Sequence, residues 1–543
     1  MTRTIQLDPR DNVAVALVDL KAGEHAVCKL VSDVPAKHKF AARDLAPGEA
    51  IIMYGVLVGR ARQPVRQGEL LSTRNIQHDT APYAATTEIF RWTPPEVSRW
   101  RWRTFRGYRR SNGKVGTRNY WVVLPLVFCE NRNLAVLKEA FNEELGFAPP
   151  QIYRHHVADL VWLYREGRAD KIPEYAFAGP LESSAHARVF PNVDGIKFLV
   201  HEMGCGGTRE DAHSLCGLLA GYICHPNVAG ATVLSLGCQH AQVEILRAEM
   251  ARRDSTFSKP LHVFEQQQFD SESEMLEHAI RRTFLGLMEA NGSLREEVPL
   301  AELCVALKCG GSDGFSGISA NPAVGHVADL VIGCGGAAIL SEFPELCGVE
   351  QDLINRSVGP KVGARFIELM REYAARAKAV GSGFEMNPSP GNIREGLITG
   401  AMKSAGAARK GGTSPVTAVL GYPGWVTEPG LNLLCTPGND VECVTAQVAA
   451  GANLVLFTTG LGTPTGNPIV PVVKISSSSL LANQMADVID FDAGSIISGD
   501  TTTEQSGEAL LECALQVATG SVRTKSELTS QDNFIPWKRG ISL

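Results

Sequence analysis

From Gly107 onward, short apolar runs alternate with longer amphipathic stretches, and this alternation constrains the fold more than any other feature of the chain. Tyr120-Trp-Val-Val-Leu-Pro-Leu-Val-Phe, Ala231-Thr-Val-Leu-Ser-Leu, Leu303-Cys-Val-Ala-Leu and Asp329-Leu-Val-Ile-Gly are too continuously apolar to keep one face in water. Together with Asn453-Leu-Val-Leu-Phe-Thr and Val470-Pro-Val-Val-Lys-Ile-Ser they read as buried strands. The stretches Asn133–Glu144, Ser271–Ala290 and Ala364–Ala379 between them read as helices. Strands that alternate with helices predict an α/β body with largely parallel sheets. A glycine-rich segment near 381–414 predicts two lobes, a central α/β domain over 108–380 and a C-terminal one over 381–543.

Ahead of this body the pattern differs. Residues 1–75 carry short alternating runs (Asn12-Val-Ala-Val-Ala-Leu, Ala50-Ile-Ile-Met-Tyr-Gly-Val-Leu-Val-Gly) separated by turns at Gly23-Glu24, Gly48-Glu49 and Gly68-Glu69. They predict a small β domain. Residues 76–107, with Pro82, Pro94, Pro95, Trp92, Trp100 and Trp102, predict an ordered linker draped over a surface. Composition then excludes whole classes of function. With 44% hydrophobic and 20% charged residues the chain is too apolar to be disordered. A net charge of −6 offers no field for nucleic acid or an anionic membrane. No run is long and apolar enough to cross a bilayer, and the polar N-terminus has no signal-peptide core, so a cytoplasmic location is expected. An odd number of cysteines, 13, in such a chain reads as thiols or ligands rather than a disulfide framework.

Chemistry is expected at the carboxyl ends of the buried strands. Cys129, Cys205, Cys238 and Cys309 all fall there. They either converge as ligands of a transition metal or iron–sulfur cluster, or are core thiols, since no Cys-x-x-Cys pair occurs. Lys308-Cys-Gly-Gly-Ser-Asp-Gly-Phe-Ser-Gly brings Ser312, Asp313 and Ser316 into a loop whose amides suit an anion. Asn387-Pro-Ser-Pro-Gly-Asn and Lys410-Gly-Gly-Thr-Ser-Pro share that character and point to a carboxylate or polyol rather than a nucleotide. Thr458-Thr-Gly-Leu-Gly-Thr follows an apolar strand. Lys474 lies inside one, which is costly without a purpose, and Asp490 and Asp492 alternate onto one side of another. In the small domain His38, between Lys37 and Lys39, is a candidate proton carrier.

These same residues resemble the motifs of the altronate/galactarate dehydratase family. Ser111-Asn-Gly-Lys-Val-Gly-Thr-Arg-Asn, Gly204-Cys205, Leu236-Gly-Cys238 and Cys309-Gly-Gly-Ser-Asp-Gly-Phe-Ser-Gly-Ile-Ser-Ala-Asn-Pro match in order. Asn387-Pro-Ser-Pro-Gly-Asn, Thr436-Pro-Gly-Asn-Asp, Thr459-Gly-Leu-Gly-Thr-Pro and Ile489-Asp-Phe-Asp-Ala-Gly follow, and residues 11–41 resemble the family's SAF-type β-clip domain. Two departures stand out: Ile393-Arg394-Glu395-Gly396, where the family often has Lys-Ala-Gly-Gly, and an apparent insertion near 155–195 containing Trp162, Tyr164, Arg165 and Tyr175.

The resemblance implies a hydro-lyase that dehydrates a sugar acid to a 2-keto-3-deoxy acid, stimulated by ferrous iron or a similar divalent ion. Mn²⁺ or an iron–sulfur cluster is the alternative. Under this reading Cys129, Cys205, Cys238 and Cys309 are candidate metal ligands, and His38, Lys39, Lys474 and Asp313 candidate proton-transfer groups. Arg118, Ser312, Ser316, Asn387, Asn392 and Thr459 are candidate substrate contacts, Arg118 as a bidentate carboxylate clamp. A lyase that expels sulfite from a sulfonated hydroxy acid, and a non-catalytic sugar-acid sensor, are the competing readings. A homo-oligomer is allowed, and no nucleic-acid or membrane partner is expected.

Overall fold

The computed structural model describes residues 3–149, 152–177 and 187–542. The molecule is α/β, with a strand-rich N-terminal domain and a body built on parallel sheets. Two three-stranded antiparallel sheets make the N-terminal domain: Thr4–Ile5, Val13–Ala16 and Lys39–Ala41 in one, Ala50–Met53, Val56–Ala61 and Ile76–Gln77 in the other. Trp100 in the connecting segment is fully buried and the indole of Trp92 donates to Thr413 Oγ1 (3.1 Å), which ties the linker to the body. Trp102 is exposed.

Numbering from the start of the body, β1 (Tyr120–Pro125), β2 (Gly195–Phe198), β3 (Val228–Ser235) and β4 (Leu261–Glu265) form a parallel sheet in the order β2-β1-β3-β4. A second parallel sheet has seven strands. They are β5 (Cys304–Cys309), β6 (Ala337–Leu340), β7 (Val416–Leu420), β8 (Gly430–Leu434), β9 (Leu454–Thr459), β10 (Val472–Ser476) and β11 (Phe491–Asp492). Their order is β7-β8-β6-β5-β9-β10-β11. One core joins the sheets, because Val122, Leu124 and Val233 share a cluster with Ala306, Ile339 and Val455. Helix α1 (Arg209–Cys224) contributes Leu215, Leu218 and Leu219 to that core, and helix α3 (Asp440–Ala449) adds Val444 and Val448.

Two expectations change here. Asp329–Gly333 is not a strand but the last part of helix α2 (Ala320–Gly333), and the strand it stood for is β6, a few residues later. Helix α2 is buried along nearly its whole length, so its sequence shows no polar face and its period is invisible. The division expected near 381 does not separate two sheets either. The seven-stranded sheet draws β5 and β6 from before that point and the other five strands from after it. Of the apparent insertion, Ile152–Arg165 is helical, and residues 178–186 lie outside the described residues.

Candidate active site

Strand alternation sends the last two residues of β5, Lys308 and Cys309, to opposite faces of the sheet, both fully buried at its carboxyl end. The loop after β6 carries Glu342 in the left-handed region (φ 66°), a conformation that is costly for a side-chain-bearing residue, and the Thr436 hydroxyl holds its amide (3.0 Å). Lys308 and Lys410 both bind the Glu342 carboxylate, Lys410 at 3.0 Å. The Lys410 ammonium also donates to Cys309 Sγ (2.8 Å), and the thiol donates to Glu345 Oε2 (3.5 Å). Lys403 closes the set, on Glu345 (2.9 Å) and on Asn387 Oδ1 (2.7 Å), while Lys308 reaches Asp440 (2.7 Å) at the start of α3.

The small domain docks on the loop that follows Cys309. Lys37, itself at φ 72°, pairs with Asp313 (3.1 Å) and Glu395 (2.6 Å). Lys39 donates to the carbonyls of Lys37 (2.9 Å) and Gly396 (2.7 Å). Close backbone approach explains two glycines: a Cβ at Gly314 or Gly396 would overlap the Lys37 carbonyl oxygen. Farther along the sheet, Lys308, Phe457 and Lys474 are register partners on adjacent strands. The Lys474 ammonium lies 3.4 Å from the Phe457 ring centroid with no hydrogen-bond partner.

Electrostatics sets Lys308, Lys403 and Lys410 apart from Lys39 and Lys474. Burial works against charge on Lys308, Lys403 and Lys410, but their acidic neighbours outweigh it and hold all three ammonium groups above the ordinary lysine value. At Lys39 and Lys474 burial outweighs the pull of nearby carboxylates, Asp313 on the first and Asp440 and Asp490 on the second, and brings each down to about 7. Burial also pushes Cys309 up, with Lys410 opposing, and keeps Glu342 up, whereas Lys403 and its neighbours hold Glu345 down.

Residues 2–79 match the altronate/galactarate dehydratase SAF domain, residues 107–291 the second domain of D-galactarate dehydratase/altronate hydrolase, and residues 300–542 the D-galactarate/altronate dehydratase C-terminal domain. The chain is 31% identical to altronate dehydratase of Bacillus subtilis over the full length of both proteins. It is 32% identical to altronate dehydratase of Escherichia coli over 99% of each. The chain belongs to the altronate/galactarate dehydratase family. It is thereby an enzyme of the hydro-lyase class. Also similar are the galactarate dehydratase (L-threo-forming) of Escherichia coli, 31% identical over 96% of this chain and 94% of that one, and the (2R)-sulfolactate sulfo-lyase subunit beta of Chromohalobacter salexigens, 28% identical over 80% of this chain and 97% of that one.

Within this candidate site the structure gathers some of the expected residues and not others. Asp313, Ser312, Ser316 and Asn392 form one hydrogen-bonded unit: Ser316 donates to Asp313 (2.7 Å) and Asn392 to the Ser312 carbonyl (2.9 Å). The Thr459 hydroxyl accepts from the amides of Leu461, Gly462 and Thr463, which shapes the loop after β9. His38 is half-buried beside Lys39, its ring nitrogen on the Ala36 carbonyl (3.1 Å). Arg118 is corrected: its buried guanidinium already grips Glu527 through two nitrogens (2.7 and 3.0 Å) and the carbonyls of Thr117 and Val517 through the third, so no fork is left for a substrate. The four cysteines do not meet at one point either. Cys309 is buried on the seven-stranded sheet, while Cys129, Cys205 and Cys238 are exposed beyond the four-stranded one. Glu342, Glu345, Lys403 and Asp440 were not anticipated, although the rule that singled out the cysteines also covers the Ser341-Glu342 step after β6.

Cys309, Glu342 and Glu345 offer donor atoms within 4.8 Å of one another, the one such grouping among the described residues, and so make a possible metal site. A divalent ion does not fit it as it stands. Ammonium groups already sit on the sulfur and on both carboxylates. Two unit charges 4 Å apart repel by about 4 kcal/mol at an effective dielectric near 20, and a divalent ion doubles that against each lysine.

Proposed function

We propose that the protein dehydrates a sugar acid, D-altronate first, with galactarate or another aldonate or aldarate as the alternative, at the carboxyl end of the seven-stranded sheet. The C2 proton and the C3 hydroxyl leave, and the enol becomes a 2-keto-3-deoxy acid. The observation that carries this reading is that Lys308, Lys403 and Lys410 are held charged at this end of the sheet while Lys39 and Lys474 are held near 7. Dehydration next to a carboxylate needs both kinds. Fixed positive charge stabilises the enediolate as it develops, and a neutral amine takes the C2 proton. Lys403 and Lys410 supply the charge for the substrate carboxylate, and Nζ of Lys474 is the proton acceptor, with His38 the second candidate. Ferrous iron or Mn²⁺ has no step in this reading, because the ammonium groups occupy the donor atoms.

The test is a panel of stereoisomeric hexonates and hexarates plus sulfolactate, with keto acid and sulfite assayed separately. Keto acid from altronate, with kcat lowered at least a hundredfold and KM little changed in Lys474→Met, supports the proposal. Sulfite from sulfolactate and no keto acid from any sugar acid refutes it.

A further inference from the structure

The loop over 387–396 touches the lysine cluster at its start and the small domain at its end. Asn387 accepts from Lys403 Nζ (2.7 Å), while Glu395 accepts from Lys37 (2.6 Å) and its carbonyl takes the Gly314 amide (2.8 Å). Between them Ser389 and Asn392 cap the short helix Pro390–Arg394, and Asn392 donates to the Ser312 carbonyl (2.9 Å). Asp313, the second carboxylate on Lys37, is the fourth residue after Cys309. Four residues of chain reach at most about 14 Å, a separation that a six-carbon acid and two long side chains can bridge. The charge at the small-domain end is lopsided. Asp313 is fully buried, while the side chains of Lys37 and Glu395 are 23% and 31% exposed. Burial works against charge on Lys37, but Asp313 and Glu395 outweigh it and hold the ammonium above the ordinary lysine value. One cation thus faces two carboxylates, and the acid open to solvent is Glu395. It lies in Ile393-Arg394-Glu395-Gly396, where the family often has Lys-Ala-Gly-Gly, and a glycine there would leave Lys37 with Asp313 alone.

We infer that Glu395 is a specificity-determining residue, which selects a substrate whose far end is a hydroxymethyl group, an aldonate, over one that ends in a second carboxylate, an aldarate. The inference rests on the dehydratase reading above, in which Lys403 and Lys410 hold the first carboxylate and the chain of the substrate runs on towards Lys37. A terminal hydroxyl donates to the Glu395 oxygen that Lys37 does not bind. A second carboxylate at that place meets like charge and finds Lys37 already shared between two acids. Discrimination of this kind works by repulsion of the wrong partner as much as by attraction of the right one.

The test measures kcat and KM of the full-length protein separately on altronate and on galactarate, with keto acid as the readout. Wild type should favour altronate in kcat/KM. Glu395→Gln keeps the shape and removes the charge, and it should shift the ratio towards galactarate by about tenfold or more, chiefly through a lower KM for galactarate. Glu395→Gly should act in the same direction, and Glu395→Asp, which restores the carboxylate, should return the ratio towards that of wild type. Melting temperatures show that each variant folds. A ratio that stays the same in Glu395→Gln and Glu395→Gly, an equal loss on both substrates, or a wild type that prefers galactarate overturns the inference and leaves the dehydratase reading intact. Wild type that forms no keto acid from any sugar acid overturns both.

Discussion

Lys410→Met is the most informative single perturbation of the lysine cluster. Lys410 is 1% exposed and donates to Cys309 Sγ (2.8 Å) and Glu342 Oε2 (3.0 Å). Methionine fills most of the same volume, so the change removes charge and donors rather than packing. Breaking a buried ion pair costs about 3–5 kcal/mol because the partner is left uncompensated. Glu342 keeps Lys308, which places the expected cost near the low end, about 3 kcal/mol. Glu342→Gln should cost a similar amount, since it strands Lys410 beside a neutral amide. If the two groups matter to each other, the double variant loses little more than either single one, a coupling of about 3 kcal/mol. In a domain the size of the C-terminal region, each single variant then lowers the melting temperature by roughly 6–12 °C. Calorimetry reads all three, and turnover should be abolished in all three. Singles that melt within about 2 °C of wild type, or a double variant whose shift equals their sum, would refute the reasoning.

Two further outcomes follow from geometry and burial. Lys474 has a folded pKa of about 7 against the ordinary value of 10.5, so the folded state resists its protonation. Stability should be full above pH 10.5, fall as pH drops towards 7 and stay level below. The loss is on the order of 5 kcal/mol, and Lys474→Met should flatten that part of a stability-versus-pH curve. An equally steep curve in the variant would show that Lys474 is not buried as a neutral amine. Gly314→Ala places a methyl group against the Lys37 carbonyl, an overlap of backbone that costs about 1–3 kcal/mol. Proteolysis should then cut the 79–97 connection faster and kcat/KM should drop roughly tenfold, with C-terminal melting unchanged. Protection equal to wild type would mean that the small domain docks without this contact.

Several parts of this protein are written in short stretches of sequence. A run such as Asn453–Thr458 has no polar face, and only a buried strand covered on both sides satisfies it, so β9 and the parallel sheets were legible. The small β domain announced itself by period-two runs and glycine turns, and the family by ordered motifs along the chain. The same argument failed at Asp329–Gly333, because a helix buried all round is as featureless as a strand.

What the sequence determined alone, then, is which residues lie at strand ends, since that depends on neighbours a few positions away. What only the tertiary structure decided is which strand ends face one another. Cys309 and Cys238 have the same local setting, yet one joins Lys410, Glu342 and Glu345 in the interior and the other stands exposed on a different sheet. Arg118 looked like a free clamp because Glu527, its partner, lies 409 positions away. Strand order sets those distances, and with them whether a lysine keeps its charge or loses it to burial.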